Sequence, residues 1–523
     1  MIMMYLTSFG INVLIGPIVT AFNWSVSGLQ TVIVAASLIS GTLMVTSGRL
    51  GDKIGKKKVF LIGTIIYTIG LTLVVLAPNS TIFSIAWALI WPFGMVLVIP
   101  TSVALIMNFY EGAQRATAFG IYGAVLSIIS AFGPLLTGTL ANAFGWRIAL
   151  ALSPVFGIIT IIAAFTLPET SKDKSIKIDI PSVILSVLSF GLFLVSTLLA
   201  SNYGWFFEKR PLVLGESEIS LGGLSVVPLI YALSALLMYL FIRRGNALLA
   251  KGESPLLNVA ILKNKTFTVG MIVQGLLYFL VAAVLFTVSV FVQAAAGFDS
   301  LDTGLATLPA SLGVAVFAMF TPNLGTKISP KIIILVGFAL IAAGVYFLGI
   351  DAAVVMTPWT ILKGTILFGI GGGLVMGQIA TVTMLYVKPE ENGEASGLSE
   401  TMKEIVGQGF AIAFAGSILF GAVYANMTDA YAETEGIEIS KAEKQEIVVE
   451  LEDTFMSITP EEERAWVDSE LPEKTKKAYN KIVEDSAEGA FSSTMWVLQI
   501  FVVICVLLSL LLPNIKLSSE SNE

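Results

Sequence analysis

Gly48-Arg49-Leu50-Gly51-Asp52-Lys53-Ile54-Gly55-Lys56-Lys57-Lys58 separates two long apolar stretches, and the second begins as soon as the lysines end. The segment holds one carboxylate and five Lys/Arg, too short for a domain and too charged for a bilayer. Short basic loops of this kind stay on the cytoplasmic face. The reading is a cytosolic hinge between two membrane helices, with Gly48, Gly51 and Gly55 permitting a turn that side chains would obstruct. Asp52 among basic residues is suited to accept hydrogen bonds from Arg49 or a nearby helix N-terminus, a lock that opens when the helices part. A plain positive-inside loop in which Asp52 only moderates charge accounts for the same residues.

Working outward, the composition makes the bilayer the solvent. Of 523 residues, 55% are apolar and 13% charged, and the mean hydropathy is +0.86, outside the range of soluble globular domains. About fourteen stretches reach the ~20 residues a helix needs to cross hydrocarbon. They lie near 1–20, 27–47, 58–77, 81–107, 116–140, 147–167, 180–200, 224–242, 268–292, 303–321, 332–350, 357–387, 402–424 and 492–512. The first has no basic n-region or small-residue cleavage site, so it reads as a retained helix and not a signal peptide. The chain contains no histidine and one cysteine, Cys505. This excludes an intrachain disulfide, cysteine or histidine metal sites, and Ser-His or Cys-His catalysis. With no phosphate-binding loop either, an enzyme is not expected, nor a cofactor, a metal or a nucleic-acid partner.

Charge sets the orientation. Residues 425–490 carry 18 Asp/Glu against 7 Lys/Arg, so the net −7 of the chain leaves +4 for the rest. The loops on the side of the 48–58 hinge hold 19 basic residues, whereas the short loops of the other side hold Arg147, Lys209 and Arg210. This asymmetry places both termini in the cytosol and 425–490 outside, in a multi-pass protein of the plasma membrane. That acidic segment reads as a small cap or flap with few apolar positions.

Spans one to six end near Pro168-Glu169-Thr170, and six more begin near residue 268. The expected organisation is a first six-helix half (1–170), two additional helices with a basic linker (171–265), and a second half (266–523) interrupted by 425–490. Pro322-Asn323-Leu324-Gly325-Thr326-Lys327 stands where the second half would carry its own hinge, with Thr326 replacing the aspartate.

The pattern G-x-L-x-D-K-x-G-K-K over 48–57 resembles the loop signature of the major facilitator superfamily. Gly120, Gly123, Gly133-Pro134 and Gly138 in the fifth span combine close packing with a proline bend and resemble the fifth-helix signature of its antiporters, with Thr137 where that family often has glycine. Together with fourteen spans, the chain is similar to the drug:H⁺ antiporter branch that carries two additional central helices. The resemblance implies an all-α integral membrane fold of 6+2+6 helices and proton-coupled efflux of small amphipathic compounds by alternating access. It implies Gly48, Arg49, Leu50, Asp52, Gly55 and Lys56 as the conformational hinge, and Gly123, Gly133, Pro134 and Gly138 as the kink associated with export. A monomer is expected.

Two charges associated with coupling in that family are missing. Where its first helix presents an aspartate before a proline, this chain has Thr7, Ser8 and Phe9 ahead of Pro17, and where the fourth helix presents an arginine about twelve residues before Pro100, it has Ala88 beside Trp87. The remaining ionisable candidates near membrane depth are Glu400, Lys403 and Glu404 in span thirteen, with Glu400 and Glu404 on one helical face. A helix starting near Gly397 would place Glu404 about 10 Å along it. Placement in the cytosolic interface, among Glu390, Glu391 and Glu394, fits the same residues. Asn12, Trp87, Trp91, Gln274, Gln378 and Gln408 are the candidates for a cavity that takes aromatic or amphipathic molecules. Two alternatives stay open: an uncoupled or symport-type carrier for a metabolite, and a non-transporting receptor that binds through the acidic external segment.

Overall fold

The computed structural model describes residues 2–110, 112–170, 179–214, 217–219, 221–253, 255–257, 259–325, 327–388, 392–435, 440, 443–444, 447–451, 469 and 473–515. The first span is interrupted: α1 (Ile2–Gly10) passes through a 3₁₀ turn, Ile11–Leu14, into α2 (Ile15–Phe22). There follow α3 (Val26–Ile54), α4 (Lys56–Leu76), α5 (Ser80–Ile85), a π-helical segment Ala86–Ile90, α6 (Trp91–Phe109), α7 (Gly112–Phe144) and α8 (Trp146–Phe165). The two additional helices are α9 (Ile180–Tyr203) and α10 (Val227–Ala250), joined by a loop with a short antiparallel hairpin, β1 (Leu212–Leu214) and β2 (Ser217–Ile219). The second set comprises α11 (Lys265–Ala294), α12 (Ser300–Gly325), α13 (Pro330–Asp351), α14 (Leu362–Met384), α15 (Asn392–Glu404), a π-helical segment Ile405–Phe410, α16 (Ala411–Glu435) and α17 (Glu473–Ser509). Twelve helices among the described residues are long and apolar enough to cross a membrane. The interrupted first helix and α7 complete the fourteen expected spans.

Each set is packed by glycine. Gly63, Gly70 and Gly94 let α4 and α6 meet at backbone distance, and Gly313, Gly369 and Gly373 do so for α12 and α14. Lipid offers no hydrophobic drive for helix pairing, so such close van der Waals contact carries much of the association. On the face opposite the hinge, an aromatic cluster closes the first set. Phe83 stacks on Trp87 with centroids 5.8 Å apart, and Phe22 and Trp146 meet Phe83 edge-on or tilted. Arg147 donates to the Ala77 carbonyl at 2.8 Å, satisfying the end of α4, and lies 4.4 Å over the Trp146 ring.

Two expectations are revised. Glycine at 48 and 51 does not open a turn: α3 runs to Ile54, and Gly55 alone breaks the chain, at φ 107°. Glycine permits a break without requiring one, and Gly51 is used for close approach, since a Cβ there would lie 3.1 Å from Thr101 Cγ2. The flanking spans of the acidic segment also run further than hydropathy suggests. α17 has 37 residues, about 55 Å at 1.5 Å per residue, and starts well before the apolar stretch near 492. α16 continues to Glu435. Asn426 of α16 donates to the Ser486 carbonyl of α17 at 3.2 Å, tying the two extensions together. Much of the remaining acidic segment, and Thr326 in the second hinge, lie outside the described residues.

The additional helices form one polar-zipped pair. Ser189 and Ser234 each donate to the other's carbonyl, at 3.1 and 2.8 Å, and Thr197 and Tyr231 hydroxyls are 2.7 Å apart. At the hinge face, Asp179 caps α9 through the Ser182 N–H and receives two bonds from Arg244, at 2.6 and 2.7 Å. The Arg244 guanidinium beside Asp179 holds its carboxyl down at about 2, below its ordinary 3.8. A depressed carboxylate stabilises the fold above its unfolded value, so this contribution is complete above about pH 4 and is lost as pH falls toward 2. Arg244 is 39% exposed, which screens the pair, so the cap carries most of the energy. Asp179→Ala is therefore expected to cost about 1–2 kcal/mol, read as a lower melting temperature at pH 7 of the purified protein, with the difference from wild type shrinking under acid.

Candidate functional site

The hinge is a helix junction braced by lysines. Lys56 N–H donates to Thr170 Oγ1 at 2.8 Å, while Lys57 Nζ reaches the Phe165 carbonyl at 3.2 Å and also the Leu167 carbonyl. A cation is thus set on the last carbonyls of α8, where the helix dipole is negative. This offsets the cost of opening α4 with three lysines. Gly48 has open space around it. The side chain of Asp52 lies outside the described residues.

Where the two sets meet, α7 packs on α12. A Cβ at Gly138 would fall 2.2 Å from the Ser300 carbonyl oxygen, and one at Gly304 would fall 3.2 Å from the Pro134 carbonyl oxygen. Gly133 and Pro134 are buried in this contact region, whereas the surroundings of Gly120 and Gly123 lie outside the description. Thr137 is accommodated by Gly10 of α1, whose Cβ would meet Thr137 Oγ1 at 2.6 Å.

The second meeting line runs between α3 and the thirteenth span. Gly41 faces Ile405 and the Cβ of Glu404, at 2.3 and 3.3 Å from a built Cβ, and Gly409 faces Ser37 and, from α9, Leu194. The helix carrying Glu404 begins at Asn392, not near Gly397, so Glu404 lies about 18 Å from its start. It falls at the last α-helical position before the π segment, against the other set. Lys403 is paired with Glu400 at 2.6 Å and lies 5.2 Å from the Tyr278 ring centre of α11. Glu404, by contrast, makes no hydrogen bond or ion pair among the described residues.

The other candidates separate by environment. Gln274 on α11 and Gln408 in the π segment flank this region, since Gly275 faces Met402 and Gly407 faces Tyr278. Neither amide has a hydrogen-bond partner among the described residues. Gln378 is fully buried and donates to the Thr321 carbonyl at 2.5 Å beside Pro322, bracing the bend of α12. Trp87 and Trp91 are 1% and 5% exposed, within the aromatic core of the first set. Asn12 contributes its carbonyl, which accepts from Gln293 at 2.8 Å. At the place of the absent first-helix aspartate, Thr7 donates to Ser153 Oγ at 2.8 Å and lies 3.2 Å from the Tyr67 hydroxyl. Thr7, Tyr67 and Ser153 are uncharged hydroxyl residues, and Ala88, at the place of the absent arginine, lies in the π segment of the fourth span. Gln293, Gln30 and Tyr278 escaped the sequence reading; each is an isolated polar residue whose partner is hundreds of positions away or on another helix.

A profile of the Major Facilitator Superfamily matches residues 1–412. The chain belongs to this superfamily. Multidrug resistance protein Stp of Mycobacterium tuberculosis is 25% identical over 419 residues, covering 80% of this chain and 73% of Stp. Quinolone resistance protein NorB of Staphylococcus aureus is 25% identical, covering 79% and 84%, and riboflavin transporter RibZ of Clostridioides difficile is 25% identical, covering 80% and 87%. Among solved structures, a bacterial homologue of the lysosomal transporter Spinster, inward-facing and occupied, aligns over 98% of this chain and 94% of its own with TM-score 0.58 at 14% identity. The superfamily fold is thereby shown, and the chain is a membrane transporter and not an enzyme.

Glycine substitutions separate contact from permissiveness. Gly138→Ala must displace backbone and is expected to lower the melting temperature by several degrees. Gly48→Ala meets open space and gains about 0.5–1 kcal/mol of helix propensity, so its melting temperature should hold or rise.

Proposed function

We propose that this transporter exports small amphipathic compounds in exchange for protons, with Glu404 as the proton-carrying group. One observation carries the proposal: a carboxylate inside an apolar span, lying on the line where the two helical sets meet, without a hydrogen-bond or ion-pair partner among the described residues. An unpaired charge at membrane depth is expensive and marks functional sites. Because Glu404 abuts Gly41 of the opposite set, its protonation and the separation of α3 from span thirteen are coupled. Lys403 and Glu400 neutralise one another and leave Glu404 as the group that changes charge.

The names of the relatives, two of them resistance proteins, support drug-like cargo. Gln274 and Gln408 offer free amides near Glu404 and are the substrate contacts we favour, together with the aromatic face of Tyr278. In this reading 1–170 and 266–523 are the rocking halves, with 171–265 between them. The 48–58 hinge latches the cytosolic side through Asp52, both termini are cytosolic, and Gly123, Gly133, Pro134 and Gly138 shape the path through α7. A monomer suffices, in the plasma membrane. Thr7 and Ala88, uncharged residues where the family's coupling charges would stand, favour a second reading: an uncoupled carrier.

Dye efflux from expressing cells and proton flux in proteoliposomes decide between them. Wild type is expected to show uncoupler-sensitive efflux with proton movement on substrate addition. Glu404→Gln should lower coupled efflux at least tenfold, and Asp52→Asn should slow turnover with less effect on coupling. Substrate flux without proton movement, equally fast in Glu404→Gln, would establish the uncoupled carrier.

A further inference from the structure

Two glutamines cross between the helical sets in opposite directions, both near the face away from the hinge. Gln293 is the penultimate residue of α11, and Gln30 is the fifth residue of α3, whose start lies on that same face. The Gln293 Oε1 accepts from the Gly16 N–H at 2.7 Å, and its Nε2 donates to the Asn12 carbonyl at 2.8 Å. In an uninterrupted helix those two groups would bond each other, since residue i+4 donates to residue i. A side-chain amide has one face of donors and one acceptor, as a peptide does, so Gln293 takes both groups of one helical rung. It does so where the first span turns from 3₁₀ to α geometry and Pro17 removes a backbone donor.

The second crossing is formed from the other side. Gln30 Nε2 donates to the Ile412 carbonyl at 2.8 Å and the Ala413 carbonyl at 3.4 Å. Gly416 makes room for it: a Cβ there would lie 2.1 Å from Gln30 Nε2. Gly16 plays the same part opposite Gln293, with a Cβ 3.1 Å from Oε1. Each crossing is thus an amide on one set, backbone on the other, and a glycine that lets them meet.

We propose that Gln30 and Gln293 are a pair of amide latches that hold the face opposite the hinge shut, and that both release when the transporter opens to that face. Neither is part of the coupling cluster, so the proposal stands apart from the assignment of Glu404. Because the bonds end on backbone, their strength is independent of pH and of the cargo. They set the resting balance between the two facing states. Opening toward the hinge face leaves both bonds intact, whereas opening to the other face breaks every one of them.

The reporter is Ser289→Cys, one turn before Gln293 and fully buried, in a Cys505→Ala background. Labelling by a membrane-impermeant maleimide is followed in right-side-out and inside-out vesicles. Each of Gln30→Ala and Gln293→Ala is expected to raise the labelling rate from the latch face several-fold, and the double variant at least tenfold, equivalent to a shift of about 1.4 kcal/mol. Gly416→Ala should reproduce Gln30→Ala without touching the glutamine. Unchanged rates in protein that elutes as a single folded species would overturn the proposal. Equal increases from both faces would also overturn it, since they report loosened packing and not opening. If the double variant fails to fold, Gln30→Ala and Gly416→Ala carry the same criterion.

Discussion

Inside a bilayer the backbone has no water to bond, and helices gain little by burying apolar surface against one another. Everything in this protein depends on that constraint. Helices must approach until their backbones touch, which only glycine allows at Gly70 against Trp91, Gly94 against Tyr67, or Gly369 against Ala310. Those contacts lie within each set and are rigid. The contacts between sets use the same device, as at Gly138 against the Ser300 backbone, and add polar side chains at Gly416 with Gln30 and at Gly16 with Gln293.

The boundary also explains how charge is distributed. A buried carboxylate and a buried arginine are tolerated together because each offsets the other's desolvation, and removing one alone leaves an unpaired charge. The first set has neither of the two that its relatives' pattern implies. Thr7 and Ser153 share a hydrogen bond and Thr7 lies 3.2 Å from the Tyr67 hydroxyl, and Ala88 needs no partner. Loss of both at once is the inexpensive route. In span thirteen, Lys403 and Glu400 offset each other and Glu404 makes no ion pair among the described residues.

Much of this was legible in the sequence, because the length of apolar stretches follows directly from bilayer thickness. The spans, the glycine-lysine junction and the two additional helices could be read from residues such as Gly55 and the Lys56–Lys58 run. The interruption at Ile11–Leu14 and the π segments could not, since Ile11, Val13 and Leu14 are as apolar as their neighbours and nothing local marks a change of helical pitch. The spacing of Trp87 and Trp91 puts them on one face, which suggests a cavity. Spacing cannot say whether that face meets a cavity or, as here, Phe83 and Tyr67. Gln30 and Gln293 were invisible for another reason: their partners are backbone groups, which leave no trace in residue types.

Two of the irregular segments lie on the boundary, whereas the π segment Ala86–Ile90 packs inside the first set. The 3₁₀ turn of the first span meets Gln293, and the π segment Ile405–Phe410 packs on α3, α9 and α11. π-helical turns have looser rungs and are found at functional positions. A regular helix in those places would present a smooth ridge, stable in one register against its neighbour. A helix with a loosened rung can exchange backbone partners for side-chain partners at small cost. Gln293 has already made that exchange. Such sites are where a membrane protein can move without leaving a peptide group unsatisfied. Two such sites lie where the helical sets meet, so a shift there can leave the glycine-packed interiors intact.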